Sequence, residues 1–218
     1  MSTSPDIGSE GLVTYTIYSD GSKINDSFGI ISIYVHKEVN RIGKATLILR
    51  AGNMPAADVP ESDDTTFIPG KEISIEAGYN SDEKLIFEGI VISHNLEITE
   101  EAETLLRIEC RDYAFPSTLS RKNKVFEDIT DSAVIQQILQ TYGSLSATVD
   151  STSPQHTSLV QYYCTDWDFI LSRADANGLV VISDGKTIKV VQPAINSPAV
   201  LSVTYGMDLI AFNGSLDA

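Results

Sequence analysis

Few residues in this sequence have the types and spacing that chemistry needs. Asp166 and Asp168 form the most obvious carboxylate pair, the kind a general acid and base would use. On a helix, however, residues two apart point to different sides, so these two do not converge on one reactant. Thr165 and Asp168 have capping-box spacing. Acids at a helix start also meet the free N–H groups and the positive end of the dipole. Capping is therefore the expected role, and a hydrolase built on Asp166 or Glu109 lacks a convergent acid, base and nucleophile. Neither a phosphate-cradling glycine loop nor a G-x-S-x-G elbow occurs. None of His36, His94 and His156 stands at metal-ligand spacing from another histidine or a cysteine. Asp63 and Asp64 lack the alternating order of a calcium loop, and Glu100, Glu101 and Glu103 read as a solvated turn. The expectation is a protein that is not an enzyme, with no catalytic residue, cofactor or metal.

Binding is better represented. Arg121-Lys122-Asn123-Lys124 is a basic run in an acidic chain, placed in an exposed loop before a helix. It suits docking to an acidic surface, including another copy of the same chain. Trp167 lies on the apolar stripe of a helix and is expected to seal a core, whereas Phe169 lies off that stripe and is expected to meet the neighbouring barrel. Arg121, Lys122, Lys124 and Phe169 are thus the candidate partner-docking residues. Tyr162 and Tyr163 are the aromatics that a carbohydrate- or protein-binding β-sandwich would use, and that non-catalytic module is the alternative reading.

These residues are positioned by two kinds of element. Before Cys110 the sequence alternates. Val13, Tyr15 and Ile17 share one face, as do Ile31, Ile33 and Val35; Ala45, Leu47 and Leu49; Ile73, Ile75 and Ala77; Phe87 and Val91; and Leu106, Ile108 and Cys110. Period-two alternation means one wall on a core and the other toward water or a partner. Ser19-Asp20-Gly21-Ser22 and Tyr79-Asn80-Ser81-Asp82 mark turns, and Gly89 within a strand predicts a bulge or a sharp bend. The proline-rich stretch 51–70 predicts a long excursion.

After Arg111 the spacing becomes helical. Val134, Ile135, Ile138, Leu139 and Tyr142 make one stripe, with Thr130 as cap and Gly143 as stop. Trp167, Ile170, Leu171 and Ala174 make a second, between Thr165 and Gly178, followed by a hairpin over Leu179–Ser183 and Thr187–Val191. Val200–Tyr205 and Leu209–Leu216 read as two fresh strands. The fold expected is mainly β with an α+β insert: a β-barrel domain over 1–110, an α+β domain over 111–196, and over 197–218 the first strands of a second barrel, or strands returning to the first.

Bulk properties narrow the partners. The chain has 218 residues and a formal charge of −15. Residues 1–109 carry 19 acids against 8 bases, so the excess belongs to the strand-rich half. Such a field repels phosphate backbones and argues against nucleic acid. Met1–Glu10 is polar and lacks the apolar stretch of a secretory signal, and no apolar run is long enough to span a bilayer. Cys110 and Cys164 sit in apolar surroundings and read as free thiols rather than a bridge.

Several segments taken together resemble a known family. They are Tyr34-Val35-His36-Lys37-Glu38-Val39-Asn40-Arg41-Ile42, Phe67-Ile68-Pro69-Gly70-Lys71-Glu72-Ile73, Ala77-Gly78-Tyr79, Ile86-Phe87-Glu88-Gly89-Ile90-Val91 and Ile108-Glu109-Cys110-Arg111-Asp112. In the second half, Thr165-Asp166-Trp167-Asp168-Phe169-Ile170-Leu171-Ser172-Arg173 is followed by Asn177-Gly178-Leu179, with Asn177 where an acid is common. In order and spacing these resemble the N-terminal hub region of VgrG proteins of type VI secretion. They are similar also to the baseplate hub of contractile phage tails and the spike proteins of phage-tail-like extracellular injection systems.

The resemblance implies two similar barrels with an α+β domain inserted, and three chains in a ring that adapts a hexameric inner tube to a trimeric spike. It implies as partners the chain itself, the inner-tube protein, a C-terminal spike, needle or tip protein and baseplate components. Synthesis in the cytoplasm and delivery outward by the machine go with it. A needle is expected on a further stretch or a separate chain, so direct membrane contact by these residues is not expected.

Overall fold

Seven strands of the first half join in one antiparallel sheet: β1 Val13–Ser19, β2 Ser22–Lys23, β3 Gly29–His36, β4 Lys44–Ala51, β5 Glu72–Tyr79, β6 Asp82–Ile98 and β7 Thr104–Arg111. Their order is β2-β1-β5-β6-β7-β4-β3. This computed structural model describes residues 11–52, 58–98, 104–199, 201–206 and 211–215. The alternation is realised most cleanly in β4 and β7. Ala45, Leu47, Leu49 and Ala51 point inward opposite Cys110, Ile108 and Leu106, and all are buried. Ile17, Ile73, Ile75, Phe87 and Val91 join the same cluster, and Phe67 closes it from the excursion after β4. Burying one such aliphatic side chain contributes about 1.5–3 kcal/mol. Residues from β1 to β7 share this core, so the sheet wraps around its own apolar face. Irregularities at Ile75/Glu76 and Val91/Ser93 let the long β6 bend. No ladder joins the two ends of the sheet among the described residues. A cleft of about 260 Å³, lined by Tyr15, Ile24, Phe28 and Ile30, opens there.

Three details of the first half differ from the pattern. In β3 a register shift between Ile30 and Ser32 turns Ile30 inward and leaves Ile31 half exposed. Val13 and Tyr15 keep the parity of Ile17 but lie at a strand end, where they stay exposed. Gly89 is not itself at a bulge. It is the site of a close backbone approach, since a Cβ there would lie 2.1 Å from the Arg111 carbonyl oxygen. The described part of the excursion holds a short helix, α1 Pro60–Asp63, and a 3-10 turn at Thr65–Phe67 whose Asp64 cap accepts from Thr66 N–H. The turn containing Glu100, Glu101 and Glu103 lies outside the described residues.

The second half runs β8 Arg121–Thr130, α2 Asp131–Leu139, β9 Ser146–Val149, β10 Gln155–Thr165, α3 Asp166–Asp175, β11 Val180–Asp184 and β12 Thr187–Val191. β8 and β10 form a two-stranded antiparallel ribbon, and β11-β12-β9 a small sheet in which β9 runs parallel to β12. α3, the hairpin and the start of α2 lie where their spacing predicts, but α2 ends at Leu139, short of the Tyr142 and Gly143 expected at its end. Val134, Ile135, Ile138 and Leu139 of α2 meet Trp167, Ile170 and Ala174 of α3 and Val181, Ile188 and Val190 of the small sheet in a second core. Gly178 follows α3 with φ 65°, a left-handed stop that glycine adopts freely.

The strands β8, β9 and β10 were not legible. The basic run at 121–124 lies on β8, not in a loop, because β10 supplies the ladder it needs. Beyond Val191 the expected strands do not form among described residues. Positions 201–204 and 211–215 join no ladder, Tyr205 makes an isolated bridge, and Leu201, Tyr205 and Phe212 are exposed. Residues 200, 209–210 and 216 of those two expected strands lie outside the described set.

Polar ties join the two cores. The Asn40 N–H donates to the Val181 carbonyl at 2.7 Å, and the Val181 N–H donates to Asn40 Oδ1 at 2.8 Å. Lys37 pairs with Asp184 at 2.5 Å. The buried Asp112 carboxylate accepts from the N–H of Gly43 and of Ala114 and from the Ser183 hydroxyl. Burial pushes its pKa up, and these hydrogen bonds with the Lys37 charge only partly offset that.

Candidate functional site: a strand ribbon and two helix starts

β8 runs directly into α2 and β10 into α3, and because the two strands pair antiparallel the two strand–helix units face each other. Each junction is built alike. Two residues before the helix cap the backbone turns left-handed, φ 48° at Asp128 and 44° at Tyr163. The cap is a threonine whose hydroxyl accepts an N–H of the first turn: Thr130 from Ala133 and Thr165 from Asp168. The next residue is an aspartate that folds inward and is buried, Asp131 and Asp166. Each takes a base from the opposite strand, one residue past the threonine's cross-strand partner. Thr165 pairs with Arg121, and Lys122 Nζ lies 2.6 Å from Asp166; Thr130 pairs with Gln155, and His156 Nε2 lies 2.9 Å from Asp131.

Further partners surround both carboxylates, although Asp131 Oδ1 and Arg173 Nε meet as an ion pair without a hydrogen bond. Asp166 accepts from the Tyr142 hydroxyl at 2.6 Å and from Gln161 Nε2 at 2.9 Å. Asp131 lies 2.7 Å from Arg173 Nε and accepts from Asn177 Nδ2 at 3.0 Å. Burial alone would raise both pKa values. For Asp131 the hydrogen bonds from Asn177 and His156 and the charge of Arg173 outweigh it; for Asp166 those from Gln161, Lys122 and Tyr142 do. Both groups are therefore held below the usual carboxylate range. A carboxylate fixed this way is a structural anion and a poor proton donor.

The sequence-derived candidates sort accordingly. Lys122 is committed to Asp166. Arg121 stands over the Tyr163 ring at 5.1 Å and Lys124 over the Phe126 ring at 4.7 Å, both on the surface. Phe169 is corrected: it does not face the neighbouring sheet but is 7% exposed and stacks on Phe126 at 6.0 Å within the second core. α3 is covered on two sides, by α2 and by the ribbon, so its buried arc is wider than the four-residue stripe. Asp166 and Asp168 do not converge, since the first is buried and the second closes the cap on Thr165. Glu109 is exposed on β7. His36 lies 3.0 Å from Glu38 and His94 3.2 Å from the Ser62 hydroxyl. Among the described residues no three His, Cys, Asp or Glu side chains gather as a metal would need, and no helix is long and apolar enough to cross a membrane.

Two surface features were not foreseen. On the outer face of the ribbon Val125 and Val160 stand directly opposite each other, both more than half exposed, with Tyr162 81% exposed beside them. Between the first sheet and α3 lies a cleft of about 570 Å³ with Arg41, Arg111, Phe115, Trp167 and Leu171 in its walls. No sequence signal marks the cleft, because Arg41 in a turn and Arg111 on β7 come together only in the fold.

A curled sheet followed by this strand–helix unit is the architecture of tail and hub proteins. A prophage MuSo2 43 kDa tail protein from Shewanella oneidensis superposes with a TM-score of 0.61 at 10% identity, over 83% of this chain and 53% of its own. A tail protein from Neisseria meningitidis gives 0.63 at 12%, over 86% and 53%. An E. coli component of the type VI secretion system, itself similar to the T4 bacteriophage tail proteins gp27 and gp5, gives 0.61 at 11%, over 84% and 50%. At these identities the likeness establishes the fold, and the hub resemblance read from the sequence holds at that level. The chain spans about half the length of these solved structures. By sequence it belongs to the Alg8 N-terminal domain family, whose pattern matches residues 9–218. No curated protein matches it.

Proposed function

We propose that this chain is a structural hub element of a phage-tail-like or type VI secretion-like injection machine, acting by assembly rather than by catalysis. The observation that carries this is the fold shared with the two tail proteins and the type VI secretion component. The site chemistry supports it, because the buried carboxylates at both helix starts are consumed by internal partners and keep the ribbon rigid. In this reading residues 1–110 form a first barrel-type domain, 111–196 an insert, and 197–218 the first strands of a second barrel or strands returning to the first. Three copies form a ring between a hexameric tube and a trimeric spike, in contact with baseplate components. The protein is made in the cytoplasm and leaves with the machine. Of the docking candidates, Arg121 and Lys124 keep that role, while Lys122 and Phe169 support the ribbon from inside. The test is the mass of the intact gene product in solution by light scattering, with electron microscopy of the particle. A ring of three copies is the expected result; a monomer at all concentrations would refute it.

A further inference from the structure

We infer that the cleft between the first sheet and α3 is a docking groove for an extended, acidic segment of a partner protein. This rests on the groove alone and not on the hub reading. Two observations lead to it. Arg41 and Arg111 both line the cleft, and among the described residues no carboxylate lies within ion-pair distance of either guanidinium. Glu38 feels the Arg41 charge, but its close partner is His36. In a chain of net −15, two arginines left without an acid beside a concave wall mark a place where negative charge is to arrive from elsewhere. Second, the groove is long. A neighbouring cleft of about 310 Å³ shares Asn40 and Leu171 with the first and continues along α3 to Asp175 and Leu179. Apolar and basic side chains line the groove together, so its length and lining suit a strand-like segment rather than a lone ion. Tryptophan and arginine in one pocket is also the composition of interface hot spots.

The groove is preformed. Asn40 holds φ 61°, a conformation asparagine tolerates, and is clamped to Val181 through both its N–H and its side chain, so the turn carrying Arg41 is fixed to β11. Arg111 is paired in the sheet to Lys44 on one side and Ile90 on the other. Little ordering is then required on binding. The one acid in the wall of the larger cleft, Asp168, is engaged with Thr165 at the helix cap. The carboxylates of the segment pair with Arg41 and Arg111, and its apolar residues lie against Phe115 and Leu171. Asp175 disfavours a carboxylate at the far end, so the acidic part of the segment lies at the Arg41 and Arg111 end.

Trp167 is the sole tryptophan and reports on the groove directly. The probes are short peptides alternating glutamate and leucine, their lysine counterparts, and free glutamate, titrated into the whole chain at low and at physiological salt. The expected result is a saturable change in Trp167 emission with the acidic peptide alone, weakened by salt. The R41E/R111E variant should lose affinity by at least about tenfold, the equivalent of one charge-assisted contact. The variant must unfold at the parent's temperature, and it keeps the backbone pairing of both arginines, whose side chains form no ion pair among the described residues. An equal response to lysine peptides, saturation by free glutamate, no response to any peptide, or undiminished binding by the variant would each overturn the proposal. So would an emission change that tracks the chain's own concentration together with a rising sedimentation mass, since a second copy would then fill the groove.

Discussion

Asp166 and Asp131 illustrate how one residue can look catalytic in a sequence and be structural in a fold. Each is buried at a helix start with several donors around it, so replacing it by asparagine leaves Lys122, or Arg173 and His156, facing a neutral group. Each single substitution is expected to cost about 1–3 kcal/mol in denaturant unfolding, the range for stranding a buried polar partner. The pH dependence has a definite sign. The folded pKa of both lies below the unfolded value near 3.9, so their stabilisation is fully present above that value and is lost as pH falls through the folded pKa. The double variant Asp131→Asn, Asp166→Asn is therefore expected to show a flatter acid limb in a plot of midpoint against pH. Asp112 works in the opposite sense. Its raised pKa opposes folding at neutral pH, and that cost is relieved as pH falls through the folded value. Cys110 gives a further residue-scale expectation. Burial first, then the Glu109 charge, pushes its thiol up to about 12, so thiol reagents should leave it unlabelled in the native state and modify it only on unfolding.

At the scale of elements, Gly89 and Gly143 make an instructive pair. A methyl at Gly89 would meet the Arg111 carbonyl at 2.1 Å, backbone that cannot yield without parting β6 from β7. Gly89→Ala should cost roughly 2 kcal/mol or more. At Gly143 a methyl meets nothing within 4 Å and the backbone is not left-handed, so Gly143→Ala should be neutral or stabilising by up to about 1 kcal/mol. Thermal unfolding of both variants beside the parent separates the two outcomes. The elements themselves were unevenly legible. β4, β7 and α3 carry one-sided patterns and fall where their spacing places them, and so does the Thr130 cap of α2, whereas α2 ends at Leu139 rather than at the expected Gly143. β8 and β10 do not show such a pattern. They are a ribbon with one face on the core through Phe126 and Leu159 and the other bearing Val125 and Val160, so apolar residues occur on both faces and the period is lost. The left-handed residues Asp128 and Tyr163 break the alternation again just before each cap. Lys122 looked like a free docking charge for the same reason: its partner Asp166 is 44 positions away, and only the ladder brings them together. Phe169 was misplaced because a single stripe was assumed where a helix has two covered sides.

At the scale of the whole molecule, the two apolar cores are separate clusters joined largely by polar ties, with Ile42 of the first half packing against the second core. Asn40 to Val181, Lys37 to Asp184, Glu88 to the Lys186 N–H and the Asp112 cluster carry the junction. The hydrophobic clusters themselves divide between Tyr113 and Ala114, with Cys110 in the first and Ala114 in the second. Cooperativity between the halves should then depend on few residues. In the parent, Trp167 emission, which senses the second core and the groove wall beside it, is expected to change together with the far-ultraviolet dichroism, to which both halves contribute. Replacing Asn40 and Lys37 by alanine removes ties that cross the junction without touching either core. The two signals should then separate, with one half unfolding at lower denaturant than the other, because the remaining coupling no longer exceeds their difference in stability. Coincident transitions in that variant would mean that packing around Asp112, rather than the turn at Asn40, holds the halves together. The distinction bears on the groove as well, because the turn that fixes the strand–helix unit against the sheet also presents Arg41 to it.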